Sequence, residues 1–444
     1  MFLPEAIKFF LTRLNDNGYE AYVVGGAVRD EMSGVIVHDY DLTTSAKTDE
    51  VKRVFADCKV IATGEKHGTL TVIKDGTSVE ITTFRAEKEY SDSRHPDGVT
   101  FIKSLDEDVK RRDFTLNAMA YSPEKGLIDI FGGLDDIKNK IIRTVGSPEE
   151  RFKEDALRIL RAVRFEAQTG FDIEKNTKKA MSETKGLLQK VSVERIFSEL
   201  TKILTAPYAA KALFCEREII FEVLPEIAAE DGFEQKSLSH LYTVYEHTVK
   251  AVENGKGGNE EVMWTLLLHD SGKPFTFYID DEGRGHFPGH MKKGGEITRE
   301  TLKRLKAPTR FINRVTVLVE NHDKSFDDDK YRIKKFMSEY GAELFNELLK
   351  VKAADCYAHS EHGIQKYKHC HLMSIDAFDE ILKNGECYKQ SDLKISGDDL
   401  IDIGVKGINV GRLKYRLFEL VLKNKLKNDK EELLKEAQRL KKYY

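Results

Sequence analysis

The spacing of apolar residues changes character near residue 148 of this 444-residue chain. Before that point short period-two runs dominate. Residues 21–26 read as a strand ending in a glycine turn, and 69–74 and 78–84 alternate on either side of Asp75-Gly76-Thr77, a hairpin signal. In the second run Val79, Ile81 and Thr83 share one face, which sends Glu80 and Thr82 to the other. Residues 1–14 instead follow helical spacing. After Pro148 the strand signals fade, and 149–169, 173–188, 193–204 and 209–215 read as successive helices. Ser147-Pro148-Glu149-Glu150 opens the first of them, with a capping Ser, a first-turn Pro and acids at the positive dipole end. The pattern predicts an α+β head with a mixed sheet, residues 1–145, followed by all-α regions. Leu224-Pro225-Glu226 and the polar stretch behind it separate a helical neck, 146–225, from a histidine-bearing body, 226–370. A basic helical tail, 371–444, completes the chain.

Size and charge refine this picture. The length calls for more than one domain. No apolar run approaches the ~18 residues that span a bilayer, and the start, with Glu5 and Lys8, is unlike a signal peptide. Five scattered cysteines without C-x-x-C spacing argue against a disulfide framework or a zinc module and for a cytoplasmic protein. The net charge is −4, yet residues 411–444 hold 11 Lys/Arg against 5 Asp/Glu. That basic end suits phosphate-backbone attraction, with Arg412, Lys414, Lys423 and Lys425 as candidate RNA contacts; a solvated amphipathic helix is the plainer account.

The densest chemistry lies in the head. Gly25-Gly26-Ala27-Val28-Arg29-Asp30 is followed by His38-Asp39-Tyr40-Asp41-Leu42. The glycines let the backbone approach a triphosphate, and Arg29 stands on the helix that follows. In an extended segment Asp39 and Asp41 point to one face. Paired carboxylates suit Mg²⁺ ions that activate a hydroxyl nucleophile and stabilise a leaving pyrophosphate. Glu80 either joins them as a third carboxylate or is a solvent-side strand residue.

Asp155, Arg158, Arg161 and Arg164 recur in steps of three, a ridge on a continuous helix. Asp only accepts hydrogen bonds and Arg only donates. Cytosine and adenine both present an amino donor beside a ring-nitrogen acceptor, whereas guanine and uracil present the reverse. An Asp155/Arg158 pair against that edge therefore accepts C and A and rejects the others at about 1–3 kcal/mol per unpaired group. The same helix with surface arginines over a Leu157, Leu160 and Val163 stripe is the structural alternative.

These runs, with Lys110-Arg111-Arg112-Asp113-Phe114-Thr115-Leu116-Asn117-Ala118 and Ser192-Val193-Glu194-Arg195, resemble the nucleotidyltransferase superfamily of DNA polymerase beta. Within it the chain resembles the class II tRNA nucleotidyltransferases, the family of CCA-adding enzymes and poly(A) polymerases. The resemblance implies a polymerase-beta-like head with Asp39 and Asp41 as catalytic Mg²⁺ ligands. It further implies nucleotide contacts by Gly26, Arg29, Arg112, Asp155, Arg158, Arg161 and Arg164, with Asn117 either at the ribose or capping a helix. CTP and ATP are the implied substrates, tRNA the implied partner, and no protein partner is indicated. The loop 86–99 resembles the element that relatives use for the final A, although His95 stands where an arginine is common.

His247, His269, Asp270, His290, His322 and Asp355 form a second constellation, with His269-Asp270 ending an apolar helix before Gly272 and Lys273. It resembles the HD phosphohydrolases of the binuclear branch. Imidazoles with carboxylates prefer Mn²⁺, Ni²⁺, Fe²⁺ or Co²⁺ over Mg²⁺. His240, His286 and His359 fit no slot in that set. The expected activity is CCA addition to tRNA 3′ ends without a nucleic-acid template, plus an HD phosphohydrolase. The alternatives are an A-adding enzyme or poly(A) polymerase, or a phosphohydrolase whose N-terminal half binds RNA.

Overall fold

The computed structural model describes residues 2–87 and 99–444, in two compact units, Met1–Pro225 and Glu226–Tyr444. Most of the loop 86–99, including His95, lies outside the described residues.

The first unit is built on seven strands: β1 (Ala21–Val24), β2 (Asp41–Thr44), β3 (Lys59–Ile61), β4 (Thr69–Lys74), β5 (Thr77–Thr83), and, after a short pair β6 (Arg85–Glu87) and β7 (Val99–Phe101), β8 (Met119–Ser122) and β9 (Gly126–Asp129). The seven-stranded order is β3-β4-β5-β2-β1-β8-β9. Only the β2–β5 pairing is parallel, which makes the sheet mixed as the pattern indicates. The β4–β5 hairpin turns through Asp75 and Gly76, both at positive φ (48° and 81°), the two-residue turn whose twist matches the strands. Val79, Ile81 and Thr83 are buried and Glu80 is exposed. Tyr22, Val24, Phe84, Leu105, Val109 and Ala120 form the core on one side of the sheet.

Behind the sheet, buried Asp108 accepts from Thr43 Oγ1, the Arg85 amide and Arg111. A strand, a strand end and a helix thus share one carboxylate, which fixes where Arg111 and Arg112 begin.

The helical part departs from expectation at its first element. Residues 149–169 are two helices, Pro148–Glu154 and Leu157–Thr169, because Asp155 adopts extended dihedrals (φ −142°, ψ 104°). Its Oδ1 accepts the Leu157 amide at 3.1 Å, a side-chain bond to the backbone that competes with helix continuation. Strand segments Ile141–Ile142 and Asp172–Ile173 pair in parallel and tie the end of the head to the neck.

The second unit is helical apart from a short hairpin, Tyr278–Ile279 with Gly285–His286. Leu318, Ile333, Phe345, Leu348 and Phe378 lie in one apolar cluster, and Leu400, Leu413, Leu417 and Leu433 in another. The expected division at residue 370 falls inside one helix, Glu361–Lys383, capped by Ser360. Its Ala377, Phe378 and Ile381 pack into the first cluster, so one helix spans the expected boundary. Among the described residues no helix is long and apolar enough to cross a membrane, and all five cysteines are free thiols.

Candidate active site and metal centre

In the first unit a cleft of about 660 Å³ collects most of the residues singled out from the sequence. Its lining includes Gly26, Arg29, Asp41, Glu80, Arg112, Asn117, Asp155, Arg158, Arg161 and Arg164. Eight arginines against four carboxylates line it, a balance suited to a polyphosphate. At the floor, Gly25 has φ 72° and ψ −133°, and a Cβ there would stand 3.3 Å from Arg112 Nη1 and 4.0 Å from Asp41 Oδ2. Only glycine fits both the dihedrals and the approach.

The β2–β5 register pairs Asp41 directly with Glu80, so these side chains stand side by side on neighbouring strands. Asp39 precedes the ladder rather than lying on it, and it is not among the cleft-lining residues. The charge of Asp39 nonetheless reaches Asp41. Asp41 has its pKa raised above the ordinary carboxylate value by desolvation in the cleft, then by Glu80, with Asp39 adding to it and Arg112 opposing. Three mutually repelling carboxylates with oxygen donors only fit a hard cation such as Mg²⁺.

The cationic groups are held by partners. Arg29 Nη1 donates to Asn117 Oδ1 at 3.0 Å, and its guanidinium lies 5.4 Å from the Phe165 ring centroid. Asn117 thus orients Arg29 rather than capping a helix. Buried Asp113 accepts Arg161 Nε at 2.6 Å and the Phe114 amide. Arg164 pairs with Glu199 at 3.1 Å. Arg112 lies 3.6 Å from Asp108, its Nε is buried without a hydrogen-bond partner, and burial, reinforced by Arg111, lowers its pKa.

Asp155 and Arg158 both line the cleft and are held by different partners. Arg158 donates to Glu154 and to the carbonyls of Arg151 and Arg111, whereas Asp155 Oδ2 accepts Arg195 Nη2 at 2.7 Å. Arg195 and Asp113 are the residues missed as site members. Both stood within quoted runs, but neither has a periodic relation to Asp155 or Arg161.

In the second unit the HD residues converge. His247 Nε2 lies 2.9 Å from Asp355 Oδ1 and 3.4 Å from Asp270 Oδ2; His269 Nε2 lies 3.3 Å from Asp270 Oδ2. His322 Nε2 is 3.6 Å from Asp270 Oδ1 and 3.4 Å from His290 Nε2. All four imidazoles donate Nδ1–H to a backbone carbonyl: His247 to Ala358, His269 to Leu266, His290 to Phe287 and His322 to Val319. That leaves every Nε2 lone pair facing inward, the arrangement metal-binding histidines need. His269 Nε2 is buried with no hydrogen-bond partner. Burial opposes charge on His269, but Asp270 and then Asp355 more than reverse this and raise its pKa well above the ordinary value. Burial lowers the pKa of His247. Lys273 Nζ sits 2.7 Å from Asp270 and donates to Gln235. This donor set fits a borderline transition metal. His286 lies apart, bonded to Asp280 at 2.6 Å.

Of the tail candidates, Arg412 and Lys425 are exposed, while Lys423 is 3.4 Å from Glu419 and lies over the Tyr331 ring. Lys414 is half-buried on the helix Ile408–Leu422.

A mixed sheet carrying Gly25, Asp41 and Glu80 beneath an arginine-lined cleft, with a separate HD unit, defines a nucleotidyltransferase of the polymerase type. Three family models match the chain: the poly A polymerase head domain at residues 21–143, the probable RNA and SrmB-binding site of polymerase A at 170–230, and the HD domain at 237–359. The CCA-adding enzyme of Leuconostoc mesenteroides is 35% identical over 430 residues, covering 96% of this chain and 94% of that relative. That of Geobacillus thermodenitrificans is 51% identical over 263 residues, 59% of this chain and 62% of the relative. The Bacillus stearothermophilus CCA-adding enzyme, solved in complex with CTP, matches with a TM-score of 0.74 at 28% identity, covering 100% of this chain and 99% of that one. This chain belongs to the CCA-adding enzyme family.

Proposed function

We propose that this protein adds C, C and A to tRNA 3′ ends from CTP and ATP, releasing pyrophosphate. The observation that carries this is the joining in one cleft of the Asp41/Glu80 carboxylates and the Asp155/Arg158/Arg195 group. A solved relative is complexed with CTP, and full-length relatives bear the name of this activity. Asp39, Asp41 and Glu80 would hold Mg²⁺, which when bound supplies charge neutralisation at the attacking and leaving oxygens. Arg29 and Arg112 then clamp the triphosphate, Arg29 steered by Asn117. Arg161 and Arg164, anchored by Asp113 and Glu199, set the nucleotide against the cleft wall. Asp155 offers acceptor oxygens to the amino group of C or A, while an arginine beside it donates to the ring nitrogen. Uracil and guanine leave both unpaired.

The test is incubation with tRNA lacking its three terminal residues. CTP alone should extend it by two nucleotides, and ATP should then add one. An A-adding enzyme or poly(A) polymerase gives no CTP-only product, and that result would replace this reading.

A second activity is favoured by the inward-facing Nε2 atoms of the HD centre. The HD unit acts as a phosphoesterase. A divalent metal held by His247, His269, Asp270, His290, His322 and Asp355 would supply an activated hydroxide and polarise the phosphoryl group. Lys273 neutralises charge beside Asp270. Basic residues of the tail, Arg412, Lys414, Lys423 and Lys425, add phosphate-backbone attraction for tRNA.

A further inference from the structure

Two histidines outside the HD set meet His247 at its rim. His240 precedes the helix Val244–Asn254, and His359 follows the helix Ala342–Cys356. One ligand nitrogen from each of His240, His247 and His359 lies within 4.8 Å of the other two. Their ring centroids are 4.5 Å (His240–His359), 5.0 Å (His247–His359) and 5.1 Å (His240–His247) apart. Three imidazoles bound at ~2.1 Å to a tetrahedral ion, with ring centres ~1 Å behind the nitrogens, have centroids about 5 Å apart. The observed triangle matches that spacing.

Backbone carbonyls fix which nitrogen two of the rings can offer. His359 Nδ1 donates to the Asp355 carbonyl at 2.8 Å and His247 Nδ1 to the Ala358 carbonyl at 3.2 Å. Carbonyls only accept, so Nε2 is the acceptor nitrogen on both rings; on His247 it faces Asp355 Oδ1 at 2.9 Å, a contact that metal binding would replace. His240 Nδ1 is buried with no hydrogen-bond partner, a cost that an apolar residue would not incur.

We propose that His240, His247 and His359 form a tris-imidazole site for a zinc- or cobalt-type cation, overlapping the HD centre at His247. His240 and His359 line the cavity over the HD centre together with Tyr367, which gives solvent access for a fourth ligand. Because His247 Nδ1 is held by the Ala358 carbonyl, its Nε2, which faces Asp355, serves either this outer site or the inner set with His269 and Asp270. Zinc, which favours three histidines in a tetrahedron, takes the outer site and withdraws His247 from the inner one. Zinc therefore inhibits the phosphoesterase, a consequence that rests on the HD reading above.

Cobalt(II) is the probe. Full-length protein carrying His269→Ala and Asp270→Ala, freed of metal, should bind one equivalent with the intense visible absorption of a tetrahedral ion, and zinc should displace it. Adding His240→Ala or His359→Ala should weaken that binding at least tenfold. If circular dichroism shows the double variant unfolded, Asp270→Asn replaces it with the same expectations. No tetrahedral cobalt signal, or a signal indifferent to His240→Ala, overturns the site. In wild type, His240→Ala should relieve inhibition of phosphoesterase by zinc at least tenfold; unrelieved inhibition counts against the shared use of His247. The cobalt arm needs no hydrolysis, so a protein without phosphoesterase would refute the HD reading and leave the tris-imidazole site standing.

Discussion

Arg195 Nη2 lies 2.7 Å from Asp155 Oδ2, joining the helix Val193–Leu204 to the break between two other helices. The other Asp155 oxygen accepts the Leu157 amide. Asp155 is thereby fixed in place as an acceptor with its negative charge balanced. An incoming base must find it in that orientation.

Removing Arg195 should therefore loosen base choice. Arg195→Ala is expected to reduce the ratio of kcat/KM for CTP over UTP by roughly tenfold, the worth of one lost charge-assisted bond. Asp155→Ala should reduce it further, and both should change triphosphate affinity less, because Arg29 and Arg112 lie elsewhere in the cleft. Steady-state incorporation with each nucleotide decides the matter. Unchanged discrimination in both variants would remove protein side chains as the source of base selection.

Asp41→Asn should lower kcat for nucleotide addition by about a thousandfold or more, since its charge would act on the transition state. Glu80→Gln should cost less but still at least about tenfold, given its direct pairing with Asp41. Filter binding should find tRNA affinity nearly unaltered in both. A Glu80 variant with full turnover would return that residue to the solvent-side alternative.

These two sites differ in how far the sequence announced them. The mixed sheet, the Asp75-Gly76 turn and the Glu80 face follow from local periodicity, which the backbone obeys directly. The HD set was legible because the His269-Asp270 pair ends an apolar helix and the other four ligands fall in the order that the resemblance requires. The Asp155 break was not. Leu157, Leu160 and Val163 continue a helical stripe, and only the bonds to Leu157 and Arg195 reveal that Asp155 leaves it. His359 was invisible because it approaches His247 from a segment remote in sequence, and His240 because it lies ahead of the helix Val244–Asn254, outside its periodicity.

A buried acid in the neck makes stability pH-dependent. Glu166 Oε2 is buried without a hydrogen-bond partner, and burial, then Glu216, push its pKa from 4.5 to about 8 against the pull of Lys211 and Lys178. Between those values the folded protein keeps a proton that the unfolded chain has lost. Stability contributed by this group is full below 4.5 and is lost as pH rises through about 8. Glu166→Gln should flatten that slope. Relative to wild type it should gain up to roughly 5 kcal/mol at high pH and nothing near the lower limit, as read by denaturant melts. Equal gains at both ends would mean that Glu166 is ionised throughout.

The two chemistries should separate by mutation and by metal. His269→Ala with Asp270→Ala removes a buried imidazole and the carboxylate that lies within 3.6 Å of His247, His269 and His322. Hydrolysis of 2′,3′-cyclic and 2′-phosphate nucleotides should fall below detection, while nucleotide addition survives, because Asp41 and Glu80 belong to the other compact unit. The Asp39/Asp41 double alanine variant should give the opposite result. Ni²⁺ or Mn²⁺ should stimulate only the hydrolysis, since nitrogen ligands select borderline metals and the head offers oxygen alone. Absence of metal-dependent phosphoesterase on every such substrate would leave the HD unit as a platform for tRNA. Loss of nucleotide addition in the His269/Asp270 variant, with the fold intact, would mean that the two centres are coupled.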